Sequence, residues 1–94
     1  MAEALRLSAL RQGARGIIKG IDAHANDAGG IGVDELERRL LEMGFVEDAH
    51  FQVLHEGLIG RDPMAIRLDD TRVALRRREA QAVLVALSND DVTE

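Results

Sequence analysis

The chain has 94 residues, room for one domain and not two. It contains no Cys, which excludes a disulfide framework, a thiolate metal site and a cysteine nucleophile. Apolar residues make up 46%, against disorder, and a net charge of -5 argues against bulk electrostatic binding of nucleic acid.

In chain order, Ala4 to Gln12 reads as an irregular or one-turn segment that lays Leu5, Leu7 and Leu10 over one end of the fold. Its charges come early and it has no apolar core, so it is not read as a secretory signal. Residues 14–22, ARGIIKGID, read as a first strand. Ile17 and Ile21 share one face with Lys19, and Ile18 faces the other way. Gly16 and Gly20 suggest a bulge or a close backbone approach. Residues 24–32 are rich in Asn, Asp and Gly and read as a flexible entry loop. A phosphate cradle is disfavoured there, because Asp34 and Glu35 place negative charge at the helix start that follows.

Val33 to Phe45, VDELERRLLEMGF, predicts one amphipathic helix of about ten residues. Leu36, Leu40 and Met43 recur at i, i+4 and i+7, with Leu41 widening the stripe. Asp34 is expected to cap the helix, with Glu37 reaching back in a capping box. Gly44 supplies a left-handed stop.

Beyond the helix, Phe51, Val53 and His55 alternate with Gln52, Leu54 and Glu56 as a second strand. Residues 57–63, GLIGRDP, read as a loop ended by Pro63. Residues 64–75 form a hairpin about Asp69-Asp70, with Met64, Ile66, Leu68, Val73 and Leu75 inward. Arg76 to Ala82 makes a helical turn, and Val83 to Leu87 a last buried strand. Ser88 to Glu94 reads as a frayed acidic tail. The reading is a single domain over residues 1–94, mainly β. It has five short antiparallel strands in a closed or nearly closed SH3-like barrel, with one helix in the first long connection.

Three stretches carry a family resemblance: LSALRQGARGIIKGI, RRLLEMGFV, and FQVLHEGLIGRDPMAIRLDDTRVALRRREAQAVLV. In this order and spacing, from Leu7 to Leu87, they resemble ferrous iron transport protein A, FeoA. The resemblance implies an SH3-like barrel and a cytoplasmic accessory protein that works with FeoB, the membrane transporter of ferrous iron. A similar module closes the chain of iron- and manganese-dependent repressors. There are two departures. Glu47 and Asp48 stand where the family has Pro-Gly, and the connection from Ala23 to Gly32 is longer than usual.

Candidate chemistry is sparse. Asp22, His24 and Asp27 lie close enough in sequence to meet around a transition metal ion, though a solvated loop is the simpler reading. His55 shares a face with Phe51 and Val53 and is expected to be half-buried; His50 flanks the same strand. Ser8, Thr71, Ser88 and Thr93 are the only hydroxyl side chains, and none is beside a His. No catalysis and no cofactor are therefore expected. Arg72, Arg76, Arg77 and Arg78 form the one basic cluster, read as a solvated face or as a contact patch for an acidic partner. Leu58 and Ile59 either tuck under the rim or project as a contact surface. Together with Arg38 and Arg39 on the helix exterior, they are the expected partner-binding residues. The expected function is that of a cytoplasmic accessory protein binding the cytoplasmic part of FeoB, without nucleic acid or membrane insertion; weak self-association is compatible with it. The alternative is a regulatory domain related to the C-terminal domain of metal-dependent repressors.

Overall fold

The computed structural model describes residues 5–23 and 32–88. Its elements are β1 (Leu5–Arg6), β2 (Arg15–Ile21), α1 (Val33–Met43), β3 (His50–Ile59), β4 (Asp62–Leu68), β5 (Thr71–Leu75), α2 (Arg77–Ala80) and β6 (Val83–Leu87), with a 3-10 turn at Leu7–Ala9. The six strands form one sheet in the order β1-β6-β2-β3-β4-β5, with every neighbouring pair antiparallel.

Among the described residues there are six strands rather than five, and the sheet is not closed: β1 and β5 are its edges. The extra strand is only Leu5–Arg6, paired with Leu84 and Val85. Two residues are too few for alternation to mark a strand. A side chain helps to hold it there. Arg6 donates to the Gln81 carbonyl at 3.1 Å and to Asp22 Oδ2 at 3.1 Å.

Helix α1 runs as its spacing predicts, burying Leu36 and Leu40. Leu41 does not widen the buried stripe; it is exposed. The capping box at Asp34 and Glu37 is absent. Gly32 takes the cap position without a side-chain hydrogen bond, which puts Asp34 and Glu35 inside the first turn, where their charge still favours the helix dipole. Gly44 ends the helix at φ 113, in the left-handed region where a Cβ is costly.

The core is built by alternation. Ile18 from β2, Phe51 and Val53 from β3, Met64, Ile66 and Leu68 from β4, Leu75 from β5 and Val83 and Val85 from β6 are buried together. Leu7, Leu36, Leu40 and Phe45 cover them. A register shift between Ile18 and Gly20 supplies the irregularity that the glycines of β2 suggest. Another falls between Val53 and His55. It breaks the inward alternation, so His55 is exposed rather than half-buried beside Phe51 and Val53. The segment 57–63 is not a loop either. Strand β3 continues to Ile59 and β4 begins at Asp62, leaving a two-residue turn.

Candidate functional site

The hairpin of β3 and β4 extends past the core, and its tip carries the two most exposed large apolar side chains among the described residues. Gly60 and Arg61 form the turn with φ of 65 and 58, both left-handed, the pairing that matches strand twist in a two-residue hairpin. Ile59 pairs with Asp62 across it, and the register shifts between Glu56 and Ile59. Gly57 lies in that irregular stretch. A Cβ there would sit 1.9 Å from the Asp62 carbonyl oxygen, so only glycine lets the two strands close. The outcome is that Leu58 is 98% exposed and Ile59 86%. Of the two sequence expectations for this pair, projection is the one observed.

The tip stands on a fixed base, and Arg77 is its centre. The Arg77 backbone N–H donates to Asp62 Oδ1 at 2.8 Å, and its Nε donates to the Arg61 carbonyl at 2.9 Å. Its Nη1 donates to the carbonyls of Ser8 and Leu10. Its Nη2 is buried and lies 3.6 Å from Glu56 Oε2. The same Glu56 oxygen accepts the Gln12 N–H at 2.6 Å. One guanidinium therefore ties the N-terminal turn, the hairpin and α2 together. Sequence reasoning placed Arg77 in a basic surface cluster; only the fold reveals its carbonyl partners.

The remaining predicted site residues are divided. Arg39 reaches α2, with Nη2 3.2 Å from Glu79 Oε2. It lines a groove with Pro63, Ala74, Leu75 and Arg76, at the foot of the hairpin. Arg38 lies instead on the outer face of α1 with Asp34, Glu37, Leu41 and Glu42. So Arg39 is placed near the tip's base, and Arg38 borders a separate surface on which Leu41 is 44% exposed. Val46, just past the helix, is also exposed. Asp22 is engaged with Arg6. His24 and Asp27 lie outside the described residues. Among the described residues, no three His, Asp or Glu side chains gather to hold a metal ion. His50 is exposed, its Nδ1 3.7 Å from Asp69 Oδ1. No helix among the described residues is long and apolar enough to cross a membrane.

The geometry has known counterparts. The FeoA domain model matches residues 5–87. FeoA from Stenotrophomonas maltophilia, a prokaryotic SH3-domain protein whose crystal structure is a zinc complex, is 34% identical; the match covers 87% of this chain and 89% of that one, with a TM-score of 0.67. A FeoA-like protein from Clostridium acetobutylicum is 23% identical over 93% of this chain and 90% of that one, with a TM-score of 0.73. A manganese-dependent transcriptional repressor shares the fold at 24% identity and a TM-score of 0.73, over 94% of this chain but only 44% of that one. No curated protein matches the chain by sequence. The expected SH3-like architecture is therefore the right one, in an open six-stranded form. Because the domain match runs from the first strand to the last, the chain belongs to the FeoA family, a family linked to iron uptake.

Proposed function

We propose that the chain is a cytoplasmic accessory protein that docks on the cytoplasmic part of the FeoB transporter and modulates ferrous iron uptake, without catalysis of its own. The observation that carries this reading is the exposure of Leu58 and Ile59 on a hairpin whose base is held by Arg77. Protein contacts draw their energy from a few buried anchors ringed by polar groups. Fully burying two such side chains is worth roughly 1.5–3 kcal/mol each, before association costs. A tip held in place also loses less entropy on binding than a mobile loop would. Arg61 and Asp62 beside it supply polar rim groups. The opposite turn at Asp69-Asp70 offers acids and nothing apolar to bury.

The test is co-purification with the transporter's cytoplasmic region. Replacing Leu58→Asp and Ile59→Asp together is expected to leave the fold intact and abolish retention. Replacing Asp69→Lys and Asp70→Lys together is expected to change retention little. Normal retention of the tip variant overturns the reading. The likeness to the repressor supports a second reading, a regulatory domain acting on a transcription factor. Retention of a transcription factor in place of the transporter region would favour it.

A further inference from the structure

A second surface lies on the outer face of the sheet, away from the tip. Arg15 pairs with Gln52, Gln52 with Arg67, and Arg67 with Arg72, across four consecutive strands. Directly paired residues project to the same face, so these four side chains form one line. At about 4.8 Å per strand the line is roughly 14 Å long. It contains three arginines and no acid, in a chain of net charge -5. No ion pair reaches Arg15, Arg67 or Arg72 among the described residues. Arg67 and Arg72 stand directly opposite one another, an arrangement that costs stability in a sheet. A shallow cleft opens along the line, lined by Arg15, Gln52 and Arg67 with His50 and Ser88. One acid also lines the cleft, Asp69, which accepts the His50 backbone N–H at 3.1 Å.

We propose that this arginine line is a binding surface for an extended acidic peptide segment of a protein partner. Guanidinium groups match carboxylates in two-pronged hydrogen bonds, and Gln52 between them can take a backbone amide. An extended peptide offers same-side carboxylates about 6.6 Å apart, so two or three of them span the line. A lone phosphate or carboxylate would meet only one end of it. Nucleic acid is disfavoured, because the line has no aromatic side chain for base stacking and the chain's net charge repels a long polyanion. The surface is separate from the docking tip: along β3, Gln52 and Ile59 are roughly 20 Å apart. The proposal thus goes beyond transporter docking and can fail without affecting it.

The test uses the full chain, labelled with nitrogen-15, and the peptide acetyl-Asp-Ser-Asp-Ser-Asp-amide at low salt. Shifts are expected at the amides of Arg15, Gln52, Arg67, Arg72 and Ser88, with none from the Asn-for-Asp control peptide. Arg67→Glu is expected to weaken binding roughly tenfold or more, as the loss of a charge-assisted contact implies. Arg72→Gln, which removes a charge without reversing it, is expected to weaken it several-fold, with both spectra otherwise unchanged. Four outcomes overturn the proposal. One is no shift at millimolar peptide. Another is inorganic phosphate shifting the same amides with equal affinity at matched ionic strength. A third is vesicles of anionic phospholipid binding through the line while the peptide does not. The last is a tenfold gain in peptide affinity on neutralising Asp90→Asn and Asp91→Asn, which would make the chain's own tail the occupant.

Discussion

The backbone N–H of Arg77 donates to the Asp62 carboxylate at 2.8 Å, joining the start of α2 to the first residue of β4. The same residue's guanidinium reaches Arg61, Leu10 and Glu56. This is how a projecting hairpin keeps its direction. Arg77→Ala is expected to lower stability by about 1.5–3 kcal/mol, because hydrogen bonds of a charged group are lost and Glu56, only 12% exposed, loses its cation partner. Amide hydrogen exchange is expected to rise most from Gly57 to Asp62. A urea melt unchanged within 0.5 kcal/mol, the ordinary scatter of surface substitutions, would show that the hairpin stands without Arg77.

Leu40 is 1% exposed and sits in the core with Leu36 and Phe45. Leu40→Ala is expected to cost about 2–5 kcal/mol, since a domain of this size has little slack to close the cavity. Loss of less than about 1 kcal/mol in the same melt would mean that the helix contributes little to the core.

At Gly57 the constraint is steric. A methyl group there would meet the Asp62 carbonyl at 1.9 Å, and that neighbour is backbone, which cannot swing aside. Gly57→Ala is expected to cost about 1–3 kcal/mol and to shift the amides on both arms of the tip. Unchanged amide positions at Leu58 and Asp62 would contradict the close approach.

The opposed pair Arg67 and Arg72 makes a prediction of the other sign. Arg72→Glu turns a like-charge pair into an opposite one and is expected to stabilise the fold by about 0.2–1 kcal/mol at low salt. The gain is expected to shrink as salt is added. A destabilised variant would show that the two side chains do not confront each other.

Much of this architecture was legible because burial follows period. The i, i+4 spacing of Leu36 and Leu40 marked α1, and Met64, Ile66 and Leu68 marked β4. The failures fall where period breaks. The register shift after Val53 turned His55 outward, and Gly57 and Gly60 disguised a continuing strand as a loop. Strand β1 is too short to alternate. At the site, Leu58 and Ile59 could be named from sequence, but their exposure could not. Arg77 and the line of Arg15, Arg67 and Arg72 were hidden for a common reason. Each depends on partners far apart in the chain, which only strand register brings together.

The central claim is that the β3–β4 tip is the docking surface. Its most direct test is the amide spectrum of the nitrogen-15-labelled protein, recorded while the cytoplasmic region of the FeoB transporter is added. The account predicts that signals from Gly57 to Asp62 broaden first and most, and that the Leu58→Asp, Ile59→Asp double variant shows no broadening. Broadening centred on Asp69 and Asp70, with Leu58 and Ile59 unaffected, would contradict it.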